Sequence, residues 1–352
     1  MNQHFRHAAF GFALEALHRT GATRLLAPAY AGIGSILMFH RVRAGDAPAF
    51  APNHGITVSA GFLEEIITLL QARGYDIVTM AEASRRIAVG DTSRRFVNLS
   101  FDDGYRDTFE TAFPVFAAKR VPMTVYLTTG FLDREHVPWW EGLERLLHAR
   151  DRVVLPWPEG SQALETRTVA QKEQAFAAVR ARVMRMRRAS QEAFFGALAK
   201  ASEFDFTAAI ADDLLTWDMA ERMHASGTVE LGAHTVSHCV LANEADADAL
   251  AEMTRGRERL EHRLATTIRH FAYPFGGRAE VGAREIRLAG EAGFATAVTT
   301  RHGNLQREHR GHPHALPRIS VNGFHQSRRE LAVLLSGAPS ALENRLRRVV
   351  TL

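Results

Sequence analysis

The chain has 352 residues, 46% of them hydrophobic and 23% charged, with a formal net charge of +4. This composition fits a soluble globular protein with a sizeable core, and the length holds one large α/β domain plus an insertion. No Lys/Arg cluster is interleaved with stacking aromatics, which excludes a nucleic-acid surface, and the single cysteine, Cys239, excludes an internal disulfide.

Residues 3–20 mix Phe5, Phe10, Phe12, Leu14 and Leu17 with Arg6, Glu15 and Arg19, without the apolar core of a secretory signal. They predict an amphipathic helix ending at Gly21, in an N-terminal segment 1–34, that packs on the body of the protein. Peripheral contact with a membrane is the alternative use of such a helix. No transmembrane segment is expected, so the expected location is cytoplasmic, with the inner face of the membrane as the second choice. Ser35–His40 is a near-continuous apolar run, as in a strand buried on both faces. His40, at its end, either lines a site or makes a structural hydrogen bond. A loop over 42–56 follows, then a helix capped by Ser59 and stopping near Gly74, a short strand over 76–79 and a helix ending near Gly90.

Val97-Asn98-Leu99-Ser100-Phe101 reads as the next buried strand, and Asp102 and Asp103 stand at its end, just before Gly104. Adjacent carboxylates there point into the mouth of a sheet, where α/β folds keep their chemistry. An acidic turn capping the helix of Phe109, Phe113 and Phe116 is the plain alternative. Met123–Thr128 is another strand, so strand and helix alternate as in a parallel sheet or barrel. The rhythm breaks over 134–212. Trp139 and Trp140 open this stretch as core residues or as a platform for a sugar ring. Pro156, Pro158 and Gly160 mark a loop, and residues 165–200 favour helices. The stretch is expected to be an inserted helical subdomain between two parts of one domain, 35–133 and 213–325. Its arginines, from Arg180 to Arg188, form a solvated helix face.

A helix over 217–226 and a short apolar run lead into His234-Thr235-Val236-Ser237-His238. Two histidines four apart fit one face of a helical turn, where both rings reach one cation. With one carboxylate they suit zinc or another first-row divalent ion, leaving a position open for water. A helix over 245–265, a strand over 269–273, a helix to Gly293 and a strand over 295–299 follow. His302, His309, His312 and His314 are irregularly spaced among Arg, Gly and Pro, which predicts a mobile loop over 301–315 rather than a metal tract. Leu316–Val321 closes the sheet, and helices around 327–336 and 340–349 make up a C-terminal segment, 326–352.

Leu99-Ser100-Phe101-Asp102-Asp103-Gly104 and His234-Thr235-Val236-Ser237-His238 resemble the first two motifs of the polysaccharide deacetylase family. This is the nodulation-protein-B homology group, carbohydrate esterase family four. Phe271-Ala272-Tyr273-Pro274-Phe275-Gly276 resembles its Arg-x-Pro-Tyr region, and the order of the motifs matches. The resemblance implies an α/β fold, an irregular (β/α)7-type barrel with the inserted helical subdomain. It also implies a metal-dependent hydrolase that removes N-acetyl groups from amino sugars of a polysaccharide, oligosaccharide or lipid-linked glycan, an N-acetylated glycan being its partner.

Carried over residue by residue, Asp102 is the general base, and Asp103, His234 and His238 hold one divalent metal ion. Zinc comes first, and cobalt, nickel or manganese also suit the ligand set. The backbone N–H of Phe275 donates to the oxyanion. Two positions depart from the family. Ala272 stands where many members have an arginine that orients the catalytic aspartate, and Leu316-Pro317-Arg318 stands where Leu-x-His usually supplies the general acid. Arginine cannot deliver a proton at neutral pH, so the expected acid is His40 or a histidine of 301–315. A deformylase or amidase on another acylated amino sugar would use the same site. The two departures also fit a carbohydrate-binding protein of this fold that has lost turnover.

Overall fold

The computed structural model describes residues 3–43, 45 and 47–351; the side chains of Phe5 and Arg6, part of the amphipathic pattern, lie outside the described residues. Seven parallel strands follow one another around a barrel in chain order. They are β1 (Gly34–Phe39), β2 (Phe96–Phe101), β3 (Met123–Leu127), β4 (Val229–Ala233), β5 (His270–Ala272), β6 (Thr296–His302) and β7 (Leu316–Ser320). Every residue of β1, β2 and β3 is buried, as the apolar runs require of strands covered by helices on one side and barrel filling on the other. Alternate residues divide between the two. Ile36, Tyr126, Ala272, Val298 and Leu316 share one cluster, while Leu37, Phe39, Val97 and Phe101 belong to the larger core under the helices.

Closure comes from β7 pairing with β1, Ile319 opposite Leu37, and from β1 lying in register with β2 over its whole length. The barrel is irregular in two places. A short strand, Asp76–Ile77, pairs with the lower half of β2, and β3 reaches only Ser100 and Phe101. The register between β6 and β7 shifts between Val298 and His302.

The inserted stretch is not wholly helical. Helices Trp139–Ala149, Val169–Val183, Arg188–Ser202 and Phe206–Ile210 accompany an antiparallel hairpin, Arg152–Trp157 with Gly160–Glu165. Its first strand buries Val153, Leu155 and Trp157 and exposes or half-exposes the residues between them. That period of two was in the sequence, but the prolines masked it. The insertion has its own core, including Trp140, Leu146, Leu155, Phe176 and Phe194.

At the N-terminus, helix Gln3–Arg19 gives way to Gly21 at φ 71°, where a glycine carries the left-handed turn. Leu14 is buried, and the helix lies against Arg328–Leu335. A second helix, Ala22–Tyr30, runs on despite Pro28 within it. Residues 301–315 are not a mobile loop: Asn304, Leu305, Gln306 and His309 are buried, and Leu305 bridges to Gly34. The last helix, Ala338–Glu343, stops short of the expected 349, leaving Arg345, Arg347 and Arg348 beyond it. Among the described residues no helix is long and apolar enough to cross a membrane.

Candidate active site

The C-terminal end of β2 is tied to β1 where the Asp102 N–H donates to the Phe39 carbonyl at 3.0 Å. Asp103 (φ 75°) and Gly104 (φ 97°) then turn the chain through the left-handed region. Aspartate tolerates that region better than most side chains, and the turn sends both carboxylates into the mouth.

His234 and His238 do not lie on a helical turn. They leave β4 on an irregular loop in which Thr235 (φ 66°) and His238 (φ 59°) are left-handed. The loop is held from outside by helix Asp246–Leu264, whose buried Glu252 accepts the N–H groups of Val236 and Ser237 at 3.0 and 2.9 Å. The helix comes this close only at Gly256, where a Cβ would lie 2.9 Å from the Thr235 carbonyl carbon. With Phe275 (φ 60°), four residues of this mouth have backbone conformations that L side chains rarely adopt. Strain of that kind persists where surrounding structure over-determines it. Glu252→Ala is therefore expected to keep the fold but weaken any divalent-ion binding by His234 and His238 by about 10–100-fold, as loss of outer supports does. Titration calorimetry with zinc reads this directly, and an unchanged affinity would remove Glu252 from the account.

Asp103, His234 and His238 are buried, and their donor atoms all lie within 4.8 Å of one another. His234 Nδ1 lies 2.7 Å from the Ala272 carbonyl, to which it donates, so its Nε2 presents a lone pair. That Nε2 is 3.3 Å from Asp103 Oδ1, and His238 Nε2 is 3.1 Å from the same oxygen. Close as these contacts are, Oδ1 receives no hydrogen bond. Three lone-pair atoms converging in a buried space repel unless a cation lies among them. A tetrahedral zinc with bonds of about 2.0–2.1 Å places its ligands about 3.3 Å apart, so the group fits such an ion. Burial pushes the His238 imidazole down more than Asp103 raises it, keeping the ring neutral as a ligand must be. Burial pushes the Asp103 carboxyl up, and only positive charge beside it, on the rings or on an ion between them, holds it well below the usual carboxylate range.

Aromatic rings wall the group. Trp140, Phe275 and Phe131 lie 4.7, 4.8 and 5.9 Å from the His238 ring. Trp140 comes from the insertion, is itself buried, and donates its indole N–H to Tyr105 Oη at 2.8 Å. Its helix is anchored to the barrel by buried Arg41, which bonds Glu141 at 2.8 Å and Asp107 at 3.0 Å. Neither tryptophan is an open platform for a sugar.

Asp102 is gripped by Arg318, Nη1 to Oδ1 at 2.7 Å and Nη2 to Oδ2 at 2.6 Å. The guanidinium is fully buried and its Nε donates to the Thr299 carbonyl at 2.9 Å. Burial pushes the Asp102 carboxyl up, and Arg318 more than reverses this, leaving it below the ordinary range. The two departures from the family pattern are thus linked. An arginine on β7 reaches the aspartate that the family's arginine reaches from β5. Ala272, on β5, serves through its carbonyl.

His40 stands at the end of β1, half-buried and close enough to Asp102, Asp103 and His238 for a charge on its ring to act on all three. Three of the four histidines of 301–315 are engaged elsewhere, and His312 is exposed. His302 faces Glu343 at 3.3 Å, and His314 bonds the Phe294 carbonyl at 2.7 Å. His309 is buried among backbone groups and pushed down to about 4 by desolvation. Phe275 turns its carbonyl to Thr300 Oγ1 at 2.6 Å. Sequence reasoning missed the roles of Arg318, Glu252 and Trp140. Only Arg318 carried a signal, an arginine lacking at one strand end and added at another.

Fold and site together define a (β/α)7 barrel protein with a buried Asp-His-His group able to hold a metal at its mouth. The polysaccharide deacetylase family model matches residues 89–296, well over half of the chain, and the chain belongs to that family. Membership implies a hydrolase acting on amide bonds of acetylated sugars. No curated protein matches the chain. Among solved structures it is similar to the Streptococcus pyogenes deacetylase PplD in complex with acetate, at 16% identity and TM-score 0.55, over 82% of this chain and 92% of that one. IcaB from Ammonifex degensii matches at 17% identity and TM-score 0.54, over 87% and 97% of the two chains. The de-N-acetylase from Aggregatibacter actinomycetemcomitans matches at 15% and 0.54, over 85% and 99%. At these identities the likeness is one of fold.

Proposed function

We propose that this protein is a metal-dependent deacetylase that removes N-acetyl groups from the amino sugars of a glycan. The observation that carries the reading is the meeting of Asp103, His234 and His238 beside an ionised Asp102 at one strand end. Asp103, His234 and His238 would hold a divalent ion, zinc first, and such an ion would supply Lewis-acid polarisation of the amide carbonyl and a lowered pKa for bound water. Asp102 accepts the proton of the attacking water. Arg318 aims that carboxylate and keeps it ionised, so it is a positioning residue. The Phe275 N–H, which has no acceptor among the described residues, donates to the oxygen that becomes negative as water adds to the carbonyl carbon. His40 delivers a proton to the amine nitrogen as the C–N bond breaks, releasing acetate and a free amino sugar.

A binding protein without turnover was the other reading of Ala272 and Arg318. Arg318 gives Asp102 the partner that Ala272 cannot, which answers one of its two grounds; the other, a general acid absent from position 318, rests on the role proposed for His40. The test is acetate release from N-acetylglucosamine oligomers by zinc-loaded protein, with N-formylated analogues alongside. Release of formate alone would turn the reading to a deformylase, and no release from any acylated amino sugar would end it. In the same assay His40→Ala is expected to lower kcat by about 10²–10⁴-fold, the usual worth of a general acid, with zinc content unchanged. Unchanged turnover would make His40 scaffolding.

A further inference from the structure

Seven large apolar side chains are exposed among the described residues, and four of them, Phe12, Leu25, Leu342 and Leu346, belong to the terminal elements. Those elements pack together. Helix Ala22–Tyr30 lies against both Gln3–Arg19 and Ala338–Glu343, and Arg328–Leu335 touches the first and last of these. Tyr30 Oη donates to the Leu346 carbonyl at 3.1 Å. Leu346 (φ 63°) follows Arg345 (φ 53°), both left-handed. A leucine held in that conformation with its side chain 57% exposed is not placed there by core packing.

Basic groups outnumber acids around these residues, although Glu343, its side chain 61% exposed, stands between Leu342 and Leu346. Arg24, Arg345 and Arg347 are exposed, and the nearby acids are engaged by other groups, Glu15 by Arg19 and Arg329, Glu343 by His302. Beside this face, Asn344 accepts a hydrogen bond from Arg278 at 2.8 Å and donates to the His302 carbonyl at 2.9 Å. Arg278 lies three residues beyond Phe275, so the terminal face adjoins the rim of the candidate site.

From the juxtaposition of exposed leucines with arginines that form no ion pair among the described residues we infer that the terminal face docks on an anionic phospholipid surface. The apolar side chains enter the headgroup–acyl boundary, and the guanidinium groups meet lipid phosphates.

Co-sedimentation of the full chain with vesicles tests this. Phosphatidylcholine vesicles containing phosphatidylglycerol are expected to bind it at least about tenfold more tightly than phosphatidylcholine alone, with the preference shrinking as salt rises. The triple variants Leu25→Asp/Leu342→Asp/Leu346→Asp and Arg24→Glu/Arg345→Glu/Arg347→Glu should each lose about tenfold or more of that binding. Their thermal unfolding, and acetate release from a soluble acetylated sugar, should match those of the unmodified protein. Binding to both vesicle types alike, or binding that survives both triple variants, overturns the inference. So does a dimer in vesicle-free solution that the aspartate variant dissolves, since the face would then belong to a second copy.

Discussion

Alanine at Asp103 or at His238 is expected to strip the protein of its metal and to lower acetate release by about 10³-fold or more. Each residue gives one of only three donor atoms. The two that remain cannot hold a divalent ion against water, and the electrostatic help an ion gives the reacting carbonyl is worth several kcal/mol, where 1.36 kcal/mol is tenfold in rate. Asp103→Asn is the sharper variant, because it keeps the shape and the oxygen but removes the negative charge. Chelator-treated protein should fall to the same level and recover when zinc is returned, which the alanine variants should not. Elemental analysis checks the first half of the expectation. Stoichiometric zinc in both alanine variants would show that the ion, if any, sits somewhere else.

Replacing Arg318 with methionine should cost both activity and stability. Methionine fills much the same volume but leaves Asp102 buried without its partner, where the carboxyl either stays charged at a cost or takes up a proton. Breaking a buried pair in this way costs about 3–5 kcal/mol, read as a lowered denaturant midpoint. Turnover should fall by about 10²-fold or more, because the base loses both its aim and its ionised form, with zinc content retained. The double variant Arg318→Met/Asp102→Leu separates the two effects. It should recover most of the stability, since no buried charge is left, and remain inactive. A single variant as stable as the original protein would mean that the pair contributes nothing to the fold.

The pH dependence follows from the same pair. Asp102 has a folded-state pKa below its unfolded value, so the stability it contributes is fully present above an unfolded carboxylate pKa of about 3.9. That contribution is lost as pH falls through the lower folded value. The double variant lacks it and should lose less stability below pH ~4 than the original.

Much of this was legible before any fold was known, and the reason is locality. A strand covered on both faces must be apolar at nearly every position, so β1, β2 and β3 announced themselves. Capping by Ser59, which accepts the Phe62 N–H at 3.2 Å, and the left-handed exit at Gly90 were equally visible, because each depends on a few adjacent residues. The acidic pair and the two histidines declared a site by residue type and spacing. Their spacing nevertheless suggested a helical turn, whereas a strained loop clamped by Glu252 does the work.

What the amino-acid order determined by itself was which segments are strands and helices, and which side chains could carry chemistry. The tertiary structure decided which of them meet. Arg318 lies 216 residues from Asp102 in the chain, and only closure of the barrel through β7 and β1 brings the guanidinium to that carboxylate. Folding also gives His302, His309 and His314 partners of their own and leaves His40 at the end of β1. Periodicity records which face of an element is buried; it does not record against what, because a buried charge selects its partner in space rather than along the sequence.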